Sequence, residues 1–215
     1  MQKQNVSKTQ EAYHRIKERI RNFRLTPGQK LIYRDLEEDL GMSRTPVING
    51  LMMLEKDGLV VNKLNRGFYV RDMSVKEAED IYDIREVLEA TAVGFAIKRY
   101  EPEDLEVLRR HIEAYGARTD DQYDKERYEL DTNIHVQIAS MGKNAYFVTM
   151  LKQFYESIYF NMNVAALRPE ISTFKVDHAE LLEAIAARDV DLATRIVVRH
   201  IRKARELFVA FLRNM

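Results

Sequence analysis

The periodicity of the chain changes near residue 75, and no other feature narrows the possible folds as much. Up to Ser74 the sequence reads as short segments separated by turn signals: Pro27-Gly28, Gly41, Gly58 and Asn65-Arg66-Gly67. From Val75 onward glycine is rare, and apolar residues recur at three- and four-residue spacing over stretches of roughly twenty residues. A chain of 215 residues divided in this way is predicted to be mainly α and to fold as two domains, 1–71 and 75–215, with a hinge at Arg71–Ser74.

The first region is predicted to begin with a helix from Ser7 to Phe23, because Tyr13, Ile16, Ile20 and Phe23 form one apolar stripe. Gln29–Ile32 can form a short strand after the Pro27-Gly28 turn. A second helix fits Arg34–Leu40 and is stopped by Gly41. Ser43 is an N-cap type for a third helix running to about Lys56. Pro46 falls in its first turn, where proline is tolerated. Gly50 is expected to weaken that helix by about 1 kcal/mol relative to alanine. Val60–Leu64 and Phe68–Val70 alternate as the strands of a hairpin. The second region is predicted to hold six helices, at about 75–99, 102–118, 122–141, 144–165, 170–188 and 190–214, packed as an all-α bundle.

The sequence has no cysteine, so disulfides and thiol catalysis are excluded and any metal site must use nitrogen and oxygen ligands. No apolar run is long enough to span a bilayer, and Met1–Gln10 lacks the apolar stretch of a signal peptide, so a cytoplasmic protein with no membrane partner is expected. The net charge of zero hides an asymmetry. Residues 1–74 hold 14 Lys and Arg against 9 Asp and Glu, a net of +5, which leaves −5 for the remainder. Of the two regions, the first is the one suited to a polyanion.

Helix, short turn, helix and hairpin form the layout of a winged helix-turn-helix. The helix opening at Ser43 would enter a major groove of double-stranded DNA, with Ser43, Arg44 and Thr45 at base edges and phosphates; Arg44 can fork onto a guanine. Asn65, Arg66 and Gly67 make a short basic wing tip for a minor groove or phosphate strand, and Arg34 is placed for a phosphate. The same pattern also serves as a purely structural module. Residues 25–70, with Pro27-Gly28, Leu40-Gly41, Ser43-Arg44-Thr45-Pro46-Val47, Gly58-Leu59-Val60 and Asn65-Arg66-Gly67 at the family's spacing, closely resemble the GntR-family DNA-binding domain. That family usually follows Ser-Arg-Thr-Pro-Val with Arg-Glu-Ala-Leu, where this chain has Ile48-Asn49-Gly50-Leu51. Replacing the usual arginine by Ile48 removes a DNA contact and should shift the preferred operator.

Three of the five histidines lie on apolar helix faces. Asp131 and His135 share a face with Ile134 and Ile138, His178 continues the stripe of Phe174, Leu181 and Ile185, and His200 fills a slot among Ile196, Val197 and Phe208. Buried polar groups of this kind need partners. One divalent ion would satisfy all four, and so would a hydrogen-bond network. If the last two helices pair around a turn at Asp189, His178 and His200 each lie eleven residues from it and face one another. His14 is expected to be exposed, and His111 has no assigned role.

Residues 75–215 resemble the FCD ligand-binding domain of the FadR branch of GntR regulators, and their six helices resemble the VanR-type subgroup. The resemblance implies metal ligands at Asp131, His135, His178 and His200, holding zinc, nickel or manganese. It also implies a small carboxylate effector at or beside the ion, with Arg85 of the Ile84-Arg85-Glu86-Val87-Leu88-Glu89 stretch able to grip that carboxylate; the alternative for Arg85 is a surface or interhelical salt bridge. The function expected is a ligand-responsive transcriptional regulator, a repressor by the common family mode, acting as a homodimer on two half-sites. A metalloenzyme and a regulator whose second domain only dimerises are the alternatives. No His-Glu-x-x-His or His-Asp motif supports the former.

Overall fold

Ser7 caps the first described helix: its hydroxyl accepts from the Gln10 amide while the Gln10 side chain accepts from the Ser7 amide, a reciprocal cap. The structure is a computed structural model that describes residues 7–118, 124–162 and 171–214. Among these residues are nine helices and one two-stranded sheet. One compact unit ends at Met73 and the other begins at Ser74, with Tyr159–Asn161 grouped with the first.

The first unit contains α1 (Lys8–Arg21), α2 (Tyr33–Leu40), α3 (Arg44–Lys56), β1 (Val60–Lys63) and β2 (Gly67–Val70). Its core is formed by Ile16 and Ile20 of α1, Leu36 and Leu40 of α2, Val47, Leu51 and Leu54 of α3, and Val60, Phe68 and Val70 of the hairpin. Gly41 ends α2 with φ +64, the left-handed conformation that glycine adopts without strain. The strands are antiparallel with Val60 opposite Val70 and Lys63 opposite Gly67, so Leu64, Asn65 and Arg66 form the turn.

Three expectations need correction here. The first helix stops at Arg21, and Phe23, predicted to continue it, has a left-handed φ of 55°. Gln29–Ile32 is not a strand. Lys30 makes only an isolated bridge to Tyr69, because the Pro27-Gly28 turn precedes it and Ile32 already caps α2. Ser43 occupies the N-cap position of α3, but its hydroxyl makes no cap hydrogen bond.

Gly50 also has a role that helix propensity does not reveal. A Cβ at this position would lie 2.9 Å from the Tyr13 amide nitrogen and 3.1 Å from the Ala12 Cβ. The backbones of α1 and α3 therefore approach closely at Gly50, and the obstacle is main chain that cannot swing aside. Gly50→Ala is expected to destabilise this unit by about 1–3 kcal/mol, the usual cost of overpacking, despite its better helix propensity. Urea titration of the variant checks this. An unchanged or raised midpoint would mean that the helices separate freely.

The second unit contains α4 (Val75–Arg99), α5 (Pro102–Ala117), α6 (Lys125–Met141), α7 (Ala145–Asn161) as far as Ile158, α8 (Ile171–Ala186) and α9 (Val190–Arg213). The predicted positions 122–123, 163–165 and 170 lie outside the described residues, as do residues 1–6 of the polar N-terminus. Ser74 and Asp124 cap α4 and α6 through their side-chain oxygens, and Pro102 opens α5. The long helices α4 and α9 pack antiparallel, with Ala78, Tyr82, Ile196 and Phe208 buried. Glu79–Arg213, Asp83–Arg205 and Glu86–Arg202 lace their edge. Arg188, with φ 58°, makes the turn between α8 and α9, and Asp189 caps α9. No described helix is long and apolar enough to cross a membrane.

Candidate functional site

Three helices of the second unit each contribute to one buried polar cluster. On α6, Asp131 and His135 are four residues apart and so lie on one face. The α8–α9 turn brings His178 and His200 to the same level, with ring centroids 4.6 Å apart. All four residues are buried, and one ligand atom from each lies within 4.8 Å of all the others. The His178 Nε2 is 3.2 Å and the His200 Nε2 3.5 Å from the same Asp131 oxygen. The His135 Nε2 is 3.1 Å from the His200 Nε2 and 4.0 Å from the other Asp131 oxygen.

The donor set fits a divalent ion. Ligand atoms held about 2.0–2.2 Å from a common ion lie roughly 3–3.5 Å from one another, which is the spacing found here for most of the close pairs. The 3.2 Å approach of the His178 Nε2 to Asp131 lacks hydrogen-bond geometry and the buried Nδ1 has no hydrogen-bond partner among the described residues, a costly arrangement unless something else binds there. Three imidazoles and one carboxylate suit zinc, nickel or manganese.

The electrostatics are those of a site built around a negative charge. Burial by itself would raise the Asp131 carboxyl, but His178 and His200 beside it hold it well below the usual carboxylate range. Burial pushes His178 down to about 4, so it is neutral and able to donate a lone pair at physiological pH. Burial acts on His200 in the same direction, yet Asp131 and Asp177 on its two sides raise it to about 8.

Sequence reasoning missed the groups behind the histidines. On α4, the buried Glu89 places one oxygen 2.6 Å from the His135 Nδ1 and the other 2.9 Å from the Arg85 Nε. The approach to His135 is short but bent, short of a fully directed hydrogen bond. The buried Arg85 also donates to the Tyr155 hydroxyl at 2.5 Å and stacks on the Tyr155 and Tyr82 rings. Arg85 therefore lies in the interior, in an ion pair within α4, and is neither at the surface nor in an interhelical salt bridge. Burial raises Glu89, but Arg85 and His135 overcome this and hold it at about 2. On the other side, the buried Asp177 lies 3.7 Å from the His200 Nδ1 and pairs with Arg199 and Lys203. Glu89 follows Arg85 by four residues, so helical spacing could have flagged that pair, whereas no spacing within α8 links Asp177 to His200.

The first unit displays the predicted DNA-facing residues on its surface. Ser43, Arg44 and Thr45 are exposed at the start of α3, with the Arg44 guanidinium 4.9 Å above the Tyr33 ring. Asn65 and Arg66 are exposed in the turn, where Asn65 and Gly67 both have positive φ. Arg34 is exposed and pairs with Glu38 at 3.1 Å, a contact of the kind worth little in water and easily exchanged for a phosphate. Ile48 is half-buried and Asn49 exposed. His14 is exposed, and His111 is partly buried and is not one of the four clustered residues.

Two stretches of the chain match known families. Residues 8–70 match the bacterial regulatory proteins of the gntR family, and residues 80–203 match the FCD domain. The chain is 26% identical to the uncharacterized HTH-type transcriptional regulator YdhC of Bacillus subtilis, over 87% of this chain and 85% of that protein. It is 24% identical to the Nta operon transcriptional regulator of Aminobacter aminovorans, over 85% of each. Among solved structures, McbR/YncC of Escherichia coli superposes with a TM-score of 0.68 at 23% identity, over 97% of this chain and 98% of that one, a likeness of fold.

Proposed function

Because the chain belongs to the GntR family of bacterial regulatory proteins and carries its FCD domain, it is a DNA-binding transcriptional regulator and not an enzyme, and we propose that a small carboxylate bound at a divalent metal site in residues 75–215 controls its affinity for an operator. The observation that carries this reading is the buried convergence of Asp131, His135, His178 and His200 from three helices. These four residues would hold the ion, and where it takes five or six ligands, as nickel and manganese can, it would supply a Lewis-acidic attachment point for a carboxylate oxygen. Arg85 brings a fixed positive charge to the same interior, on the Glu89 side of His135.

Residues 1–71 are proposed to bind DNA. Ser43, Arg44 and Thr45 face a major groove, Asn65, Arg66 and Gly67 an adjacent minor groove, and Arg34 a phosphate. A homodimer supplies the two recognition helices that two half-sites require. Repression relieved by the effector is the mode favoured, in a cytoplasmic protein.

An effector alters DNA binding only if it binds the DNA-competent and DNA-incompetent packings of the helical domain with different affinity. A tenfold loss of operator affinity needs a difference of about 1.4 kcal/mol, within the reach of one metal–carboxylate bond. Small carboxylic acids, screened by thermal shift, are therefore expected to stabilise the protein and to weaken operator binding tenfold or more. His135→Ala should abolish both effects while leaving ligand-free DNA binding intact. Carboxylates that bind the variant equally well, or that bind the wild type without changing its operator affinity, would show that the metal site is not the sensor.

A further inference from the structure

We propose that Glu89 is a positioning residue of the metal centre: it holds the His135 Nδ1 in its protonated form and thereby presents the Nε2 lone pair to the ion. The proposal rests on the metal-binding reading above and adds to it a residue outside the ligand set. An imidazole ligates through one nitrogen only if the proton sits on the other, and a carboxylate behind the ring selects that tautomer and makes the ligand more basic. Glu89 has the place and the charge for this. Its two oxygens bridge the His135 Nδ1 at 2.6 Å and the Arg85 Nε at 2.9 Å, and all three side chains are almost fully buried.

The other faces of the cluster show what distinguishes Glu89. The carboxylate behind His200 is Asp177, which is 3.7 Å away and shared with the partly exposed Arg199 and Lys203. Behind His178 there is no hydrogen-bond partner among the described residues, and the Tyr115 ring packs edge-on at 4.7 Å. Among the described residues, His135 alone of the three imidazoles has a buried carboxylate within 3 Å of its Nδ1, the ring nitrogen not turned toward Asp131. The Arg85–Glu89 pair needs a reason to be there, because replacing a buried ion pair with apolar residues is often neutral or stabilising. Orientation of His135 supplies that reason, with Arg85 keeping Glu89 ionised and fixed in place.

The test is a titration of metal-free wild type, Glu89→Gln and Glu89→Asp with zinc and cobalt(II), followed by calorimetry and the visible cobalt spectrum. Nitrogen-15 histidine NMR of the metal-free proteins reports the tautomer of His135. We expect the wild type to bind one ion per chain, Glu89→Gln to bind 10- to 100-fold more weakly with mixed His135 tautomers and an altered cobalt spectrum, and Glu89→Asp to recover part of the loss. If Glu89→Gln fails to fold, Arg85→Met/Glu89→Gln removes both charges together and should show the same weakened binding. A wild type that binds no ion would overturn the metal reading itself, and this inference with it. A folded Glu89 variant with wild-type affinity and an unchanged His135 tautomer would overturn this inference alone.

Discussion

Dialysis of the protein against a chelator is expected to lower the thermal midpoint of the helical domain by roughly 10 °C, and added zinc, nickel or manganese to restore it. An ion present at a thousand times its dissociation constant stabilises the folded state by about 4 kcal/mol. In a chain of this size each kcal/mol shifts the midpoint by about 2–4 °C. The change should vanish in His178→Ala/His200→Ala, which removes two ligands at the α8–α9 hairpin, and elemental analysis should then find no bound ion. The pH dependence follows from the shifts of the metal-free site. His200, raised to about 8 between Asp131 and Asp177, holds a proton at neutral pH that an incoming ion must displace. Metal affinity should therefore rise as the pH increases from about 6.5 to 8. The metal-free fold behaves differently. The protonated His200 stabilises it fully below about 6.5 and progressively less up to about 8. The neutral His178, pushed down to about 4, stabilises it above about 6.5 and progressively less as the pH falls to about 4. Metal-free protein should accordingly be most stable near pH 6.5 as far as these two groups decide it. Full thermal stability after chelation, with no response to added ions, would leave the cluster a buried hydrogen-bond network.

Arg44→Ala/Arg66→Ala should lose roughly 1.5 to 4 decades of operator affinity at fixed salt. Each guanidinium is expected to contribute about 1–3 kcal/mol, and the two stand on separate elements, α3 and the hairpin turn, so the losses should add. The single variants should differ in kind. Arg44, stacked on Tyr33 at the start of α3, is preorganised to read a base, so its loss should relax specificity at one position. Arg66 in the turn should lower affinity with little change in sequence preference if it lies along phosphates, whereas a minor-groove contact would make its loss sensitive to A·T content. Fluorescence anisotropy on the operator and on scrambled DNA separates these outcomes. Wild-type affinity in the double variant would remove the winged domain's predicted face from the DNA.

The sequence by itself determined the elements. The 3.6-residue stripes pointed to six helices after Val75, and Gly41 and Asn65-Arg66-Gly67 set where segments turn. It also singled out the four residues that converge, because an imidazole or carboxylate on an apolar stripe is a local anomaly that a single helix already displays. Local signals failed where a neighbour decided the outcome. Gly50 looked like a weak point in a helix until the backbone of α1 was found against it, and Gln29–Ile32 looked like a strand although the adjoining turn and helix left room only for a bridge. Only the tertiary structure brought Glu89 of α4 behind His135 of α6 and Asp177 of α8 behind His200 of α9. The physical reason is that helix periodicity tells which side of a helix a residue occupies, whereas contact between residues far apart in sequence depends on how helices cross. That crossing is set by the packing of whole faces, which no single stretch of sequence contains.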